Sequence, residues 1–479
     1  MSAPIGSLEG DPKREAMRFP VRIWELRDML DNDRLKIAVV GTGISGISAA
    51  WLLSRQHNVT LYEQADRVGG HSNTVQVKMD GQTIPVDTGF IVFNRATYPN
   101  LTALFAHLKV GTQLSNMSFA ASLDGGNFEY AGGSGIGGLF AQKSNIGRPR
   151  FLSMLSGIRK FYREAMRDSV DPRFKEMTLG DYLIAGGYSD AFRDDHLLPM
   201  ASAIWSASPA EMLSFPALAF TRFHANHGLL QIGGRPLWET VTGGSISYVR
   251  RLLEDFSGRI KLDAAVLRVT RSACGVQIFD SQGGTERFDH VVMANHADQA
   301  LAALENPTSD EVALLSAFRY QRNLAVLHSD TRFMPRRRAA WASWNYIGGR
   351  KSDRSDASFT YWMNRLQGIP DTAPLFVTLN PQCPPPPETL HHSESYDHPI
   401  FDAAALAAQS QLWGLQGARR TWFCGAYFGA GFHEDGLQAG LAVAEELGSL
   451  RRPWTVANES GRIVIKPRRR EYAEPESIR

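Results

Sequence analysis

The segment LKIAVVGTGISGISAAWLL runs from an apolar, β-branched stretch through three glycines into an amphipathic pattern. Gly41, Gly43 and Gly46 supply a G-x-G-x-x-G spacing. Gly41 permits a tight turn, Gly43 lets backbone approach a pyrophosphate, and Gly46 lets a helix pack closely on the preceding strand. Ile44 and Ser45 open that helix, whose first N–H groups and positive dipole end suit phosphate. A second strand, NVTLYE, ends in Glu63, with Gln64 behind it. An acidic residue about twenty positions after the glycines is placed to accept from ribose hydroxyls. The chemistry expected is dinucleotide binding.

That spacing does not separate one dinucleotide from another, but the next residues, ADRVGGHSNTV, do. Gly69 and Gly70 let the chain turn back over the pyrophosphate, where a β-carbon would crowd the ligand. NAD enzymes have no general need of this second approach. FAD, lying extended with its ring system beyond the diphosphate, has such a need. Directly behind the doublet stands His71, a titratable donor suited to a diphosphate or a flavin edge.

The elements that must position these residues belong to a chain of 479 residues, 43% hydrophobic, long enough for more than one domain. A net charge of +2 gives no electrostatic reason to expect nucleic acid. Cys274, Cys383 and Cys424 lie far apart, which argues against a disulfide framework or a metal site and for a reducing compartment. The first residues lack the apolar stretch of a signal peptide, and no apolar run reaches membrane-spanning length. A cytoplasmic protein, at most peripheral to the membrane's inner face, is expected. Beyond Leu450 the text is polar and arginine-rich, a solvated tail or a basic foot on an anionic membrane.

After Tyr98, PNLTALFAHL, RFLSMLSGIRKFYREAM and TLGDYLIAGG have helical spacing, and the glycine-rich NFEYAGGSGIGGLFAQ reads as a loop. Dinucleotide-domain grammar returns at GGSISYVRRLLEDF, followed by a β-meander and the strand FDHVVMANHA. LAVLHSD, RAAWASWNYIGG, SFTYWMNRLQG and PLFVTLNP read as antiparallel strands forming a substrate wall, with CPPPPE as a loop. RTWFCGAYFGAGFHEDGLQAGLAVAEEL gives a strand ending at Gly425, a glycine-rich loop, and a helix beginning near Asp435 or Gly436.

These segments resemble the superfamily of flavin amine oxidases, protoporphyrinogen oxidase and phytoene desaturases. Arg67, Gly69 and Gly70 match its R-x-G-G turn, although His71 stands where arginine is common. Asp87, Thr88, Gly89 and Phe90 match its Asp-x-Gly segment, whose backbone passes the isoalloxazine. The resemblance implies that Val266 lies beside the adenine. It also implies that Glu434, Asp435, Gly436 and Leu437 open a helix pointing at the diphosphate and flavin. The implied fold is α/β with an α+β second domain: a Rossmann-type FAD-binding domain and a discontinuous substrate domain. The FAD-binding segments are residues 35–97, 241–300 and 421–450, and the substrate segments are residues 98–240 and 301–420. Residues 1–34 form an N-terminal extension and residues 451–479 a basic tail.

A narrower resemblance rests on GGHSNTV, VDTGFIVFN, NHGLL, GGSISYV, WASWNY and GFHEDGL. It is to a branch found beside, or fused to, cyclopropane-fatty-acid-synthase-like methyltransferases, which implies chemistry on methyl-branched or related acyl chains. Amine oxidases of this fold commonly hold a lysine near the flavin, yet no lysine occurs between Lys261 and Lys351. The acid–base candidates are His433, just before the flavin-facing helix, and His227, ahead of His224 and His328; Asn345 is a candidate donor to substrate or to a turn. Aromatic residues in WASWNY, TYW, AIWS and FPALAF could wall an apolar tunnel. The expected function is an FAD-dependent oxidoreductase that desaturates or oxidises an acyl lipid. An amine oxidase, a polyene desaturase and a non-catalytic flavoprotein partner of a methyltransferase remain as alternatives.

Overall fold

The first apolar stretch forms the strand Lys36–Val40, buried at every position after Lys36. Burial on both faces is what a central strand of a parallel sheet requires. In the computed structural model, which describes residues 34–466 apart from residues 80, 134, 206, 227, 231–235 and 351–356, that strand lies at the centre of five. Asn58–Tyr62 and Arg259–Lys261 follow on one side, His290–Met293 and Thr421–Phe423 on the other, all parallel. Helix Ile44–Leu53 leaves the first strand, and helix His433–Gly448 packs on it. The packing is close because a β-carbon on Gly440 would fall 2.2 Å from the Ser45 carbonyl oxygen. A three-stranded meander, Val266–Ser272, Gly275–Asp280 and Thr285–Phe288, stands beside the sheet.

The second layer is a seven-stranded sheet with a separate core. Its order is Leu390–Ile400, Arg319–His328, Phe376–Leu379, Ser358–Trp362, Trp344–Gly348, Phe119–Leu123 and Phe128–Gly132. Every pairing is antiparallel except Trp344–Gly348 with Phe119–Leu123. Helices Pro149–Asp168, Leu179–Ala185, Leu198–Trp205 and Ala217–Asn226 contribute to a third core around Phe161, Phe192 and Phe220.

Several expectations need correction. NFEYAGGSGIGGLFAQ is not a loop: it contains the strand Phe128–Gly132 and a short helix, Gly135–Leu139. Its glycines close and follow the strand, which is buried at Phe128, Glu129, Tyr130 and Ala131, with Glu129 accepting from Ser122 Oγ, the Arg336 N–H and the Arg337 guanidinium. The polar text after CPPPPE is an eleven-residue edge strand, Leu390–Ile400. The last helix begins at His433, earlier than expected. Residues 451–466 are not simply a solvated basic tail. Arg452, 3% exposed, is held by Glu445 and Asn100, and Arg462 pairs with Asp435. The amphipathic segment RFPVRIWELRDML and the arginines after residue 466 lie outside the described residues. Among the described residues, no helix is long and apolar enough to cross a membrane.

Candidate active site

The glycine turn is built as its spacing requires. The Gly41 N–H donates to the Tyr62 carbonyl at 2.8 Å, and a β-carbon on Gly46 would sit 1.9 Å from the Gly41 oxygen. Gly43 differs: nothing lies within 4 Å of a β-carbon built there, and it lines a large cavity with Ile44 and Ser45. The doublet reaches the same place from the other side. Gly70, at φ 55°, would bring a β-carbon within 3.0 Å of the Gly43 Cα, while Gly69, at φ 113°, would meet the Ser72 carbonyl. The two glycines therefore serve first to lay one turn on the other.

Thr42, which the spacing argument passed over, ties this corner together. Its hydroxyl donates to Glu63 and accepts the Gly69 N–H at 3.0 Å. Glu63 also accepts the backbone N–H groups of Thr42 and Ala65. Oε2 takes both Thr42 donors, so Oε1, which accepts only the Ala65 N–H among the described residues, keeps a second lone pair for a ribose hydroxyl. Backbone bonds from Asp263 and Ala264 to Ala65 and Glu63 bring the start of the Val266 strand to this end of the sheet. Gln64 is exposed beside it.

The segment from Asp87 to Phe90 is fixed by a buried hub. Asp87 accepts from Thr74 Oγ1, from the Ser245 N–H and hydroxyl, and from Gln367 Nε2. Burial raises its carboxyl to about 6 despite those donors. Thr88 bonds the Tyr396 hydroxyl at 2.7 Å, and the Phe90 N–H donates to the His71 carbonyl at 2.7 Å. Gly89 is forced by that crossing, since a β-carbon there would lie 2.2 Å from the His71 oxygen.

The cavity beyond Gly43 has a volume of about 720 Å³. Its near wall holds His71, Gly89, Phe90, Gly425 and His433, and its far wall holds Trp205, Phe223, Trp344 and Tyr361. Among the described lining residues there is no lysine, arginine or glutamate. The one lining carboxylate, Asp397, is held by Arg322 at 3.0 Å. Burial drives the imidazoles of His71 and His296 below their ordinary value, and that of His433 down to about 3. At neutral pH these three rings carry no charge.

The sequence candidates divide sharply. His433 lines the cavity, stacked on Phe90 at 3.9 Å between ring centroids, with Nε2 2.7 Å from the Tyr248 hydroxyl. A neutral ring tied to tyrosine seats Phe90 and is poorly suited to carry a proton. His71 also lines the cavity, 4.8 Å from the Tyr396 ring. Asn345 does not line it: its amide bonds the backbone of Ala342 and Thr360, closing a turn. His227 lies outside the described residues. His224 is buried among Phe220, Trp205 and Phe223, and His328 bonds Thr378.

The Glu434 side chain is spent away from the cavity. It is fully buried and accepts from the Asn100 and Leu101 backbone N–H groups and from the Asn100 and Gln438 amides, capping helix Pro99–His107. Asp435 caps its own helix at Phe432 and holds Arg462. Gly436 packs against Ser45 and Ile44, and Leu437 is core. None of these four lines the cavity. Trp344, from the WASWNY segment expected to wall the tunnel, does line it, while Asn295 and Tyr427 line it unforeseen; among the described residues each of the three has a buried polar atom without a partner. No periodicity marks them, because each stands at the end of a different element.

An open backbone cradle at Gly43, a neighbouring acidic end and orphaned polar atoms around the adjoining cavity fit FAD; Gly43, Ile44 and Ser45 would hold its diphosphate, and Gly89 and Gly425 would flank its ring. Residues 44–333 match the family described as flavin containing amine oxidoreductase, and the chain belongs to that family. It is an FAD-dependent oxidoreductase. A Mycobacterium tuberculosis protein named as a flavin-containing monoamine oxidase, AofH, is 25% identical over 338 residues, 68% of this chain and 70% of that protein. A Staphylococcus aureus 4,4'-diapophytoene desaturase is 39% identical over 59 residues, 12% of this chain and 11% of that one. Among solved structures, cyclohexylamine oxidase from Brevibacterium oxydans superposes with TM-score 0.60 at 17% identity, covering 86% of this chain and 99% of that one. A fatty acid isomerase from P. acnes gives 0.60 at 14%, covering 87% and 98%. These last two likenesses show the two-domain α/β flavoprotein fold.

Proposed function

We propose that the substrate is a long apolar acyl chain, oxidised or desaturated at carbon. The observation that carries this reading is the cavity lining: aromatic and aliphatic walls, neutral imidazoles, and one carboxylate already paired with Arg322. Burying an ammonium group without a carboxylate costs several kcal/mol, whereas burying methylenes is favourable. The flavin, when bound, supplies a hydride acceptor. The chain's own part is to lay an apolar substrate between Trp344, Tyr361 and the Phe90 wall, and to exclude water.

The absence of lysine between residues 261 and 351 supports the same reading, as does the resemblance to the branch found beside cyclopropane-fatty-acid-synthase-like methyltransferases. Such an enzyme would supply a methyl-branched or cyclopropane-related chain. The names of the relatives favour a second reading, amine oxidation. Incubating the purified flavoprotein with extracted lipid and with simple amines separates the two by mass spectrometry. Loss of two hydrogens from, or gain of oxygen on, an acyl chain supports the lipid reading. Aldehyde formed from amines, with the lipid pool unchanged, contradicts it.

A further inference from the structure

We propose that the rim of the cavity docks on an anionic lipid surface and draws its substrate from there. This rests on the acyl-chain reading and extends it to how the substrate arrives. Strands Thr112–Ser115 and Trp238–Val241 pair antiparallel at the cavity edge, with Ser115 opposite Trp238 and Leu114 opposite Glu239. Ser115, Leu237 and Trp238 line the cavity. Alternation along each strand puts Leu114 and Leu237 on one face, where they are 69% and 73% exposed. Ile136, 78% exposed, stands three residues past Gly133, which also lines the cavity. One exposed leucine means little, but two that share a face beside the opening, with Ile136 on the element following another lining residue, call for a partner.

The charge beside this patch selects the partner. The Arg365 carbonyl accepts the N–H of the cavity residue Asn116 at 3.3 Å, which places Arg365 at the same rim. Its guanidinium lies 4.9 Å from the Trp362 ring centre. That of Arg338 lies 4.5 Å from the same ring and 3.8 Å from Trp341. Both arginines are exposed, and among the described residues neither meets a carboxylate within 4 Å. Glu239, on the leucine face, is neutralised by Arg95. Guanidinium groups steadied by indoles instead of carboxylates leave positive charge at this rim, where helix Met363–Gln367, which carries Arg365, packs on the Leu114 strand. That combination complements an anionic bilayer, which takes in apolar side chains and attracts cations. The arginines of the folded tail do not compete for this role, since Arg452 and Arg462 are spent on Glu445 and Asp435.

Sedimentation of the flavin-loaded protein with vesicles of phosphatidylcholine, with and without phosphatidylglycerol, tests the proposal. Binding is expected only with phosphatidylglycerol, and salt should weaken it. Arg338→Gln and Arg365→Gln should each lower it about fivefold. Leu114→Asn should lower it about tenfold. Flavin content serves as the check on folding. Equal binding to both vesicle types, no binding at low salt, or variants that bind like the parent would each overturn the docking surface. A dimer dissolved by Leu114→Asn, without vesicle binding, would assign the patch to a second copy and overturn it too. Detergent-dispersed acyl lipid keeps the two readings apart. Turnover without vesicle binding removes only the docking surface, while no turnover of lipid removes the acyl-chain reading beneath it.

Discussion

The two walls of the cavity are made in different ways. The wall around Gly43, Gly70 and Gly89 is backbone laid on backbone, with β-carbons excluded at 3.0 Å or less at Gly70 and Gly89. The opposite wall, with Trp205, Phe223, Trp344 and Tyr361, is made of side chains drawn from separate helices and strands. A backbone wall holds one ligand in one way and tolerates almost no substitution. A side-chain wall fixes polarity and volume, and can be changed without loss of the fold. On the proposed function, cofactor identity belongs to the first wall and substrate choice to the second.

The largest effect should come from breaking the backbone wall. Gly70→Val places a branched side chain at positive φ against the Gly43 backbone. Strain of about 1–3 kcal/mol, with displacement of the phosphate turn added, should leave almost no flavin-loaded protein. Absorbance of the purified variant reads this directly, and normal flavin content would refute the packing described.

Glu434→Ala sharpens the boundary between cofactor contact and scaffold. It strips an acceptor from the buried N–H groups of Asn100 and Leu101 and should cost about 2–3 kcal/mol by thermal unfolding. Flavin potential should stay where it was in the loaded fraction. A shifted potential with unchanged stability would return Glu434 to the cofactor.

On the side-chain wall the effects should be smaller and of another kind. Trp344→Phe removes an indole N–H that is buried without a partner. It should change the apparent affinity for substrate severalfold, about 1 kcal/mol, with little change in Tm. A large fall in Tm would make Trp344 a core residue instead.

Two buried groups near the cofactor wall should act on stability with opposite signs. His433 has its folded value lowered to about 3 by burial. The unfolded chain takes up its proton below about 6.5, and the folded protein does not, so this contribution is complete above about 6.5 and is lost as pH falls toward 3. Asp87 is raised to about 6, so the folded protein holds its proton while the unfolded chain has released it. Its contribution falls as pH rises from about 4 to 6. Tm against pH for His433→Gln and Asp87→Asn should show each slope removed separately; unchanged slopes would place both groups in water.

The same contrast explains what the sequence made readable. Gly41, Gly43, Gly46 and the doublet were legible because a turn without β-carbons leaves a mark at fixed spacing. The parallel sheet was legible because doubly buried strands are continuous apolar runs. Strand Leu390–Ile400 was not, since an edge strand with half-exposed histidines and glutamate has no apolar period. The capping role of Glu434 was hidden for a different reason. An acidic residue at a helix start satisfies the dipole equally well when it caps a neighbouring helix. Asn295, Trp344 and Tyr427 meet only in three dimensions.

The central claim is that the side-chain wall selects for apolar chain length and not for an amine. Anaerobic bleaching of the flavin, followed in a stopped-flow instrument, tests it with acyl esters and n-alkylamines of matched lengths. The efficiency of reduction by acyl esters should rise about threefold per added methylene until the cavity is filled, with the amines far slower at every length. Rapid bleaching by short amines, with no gain from longer acyl chains, would contradict it.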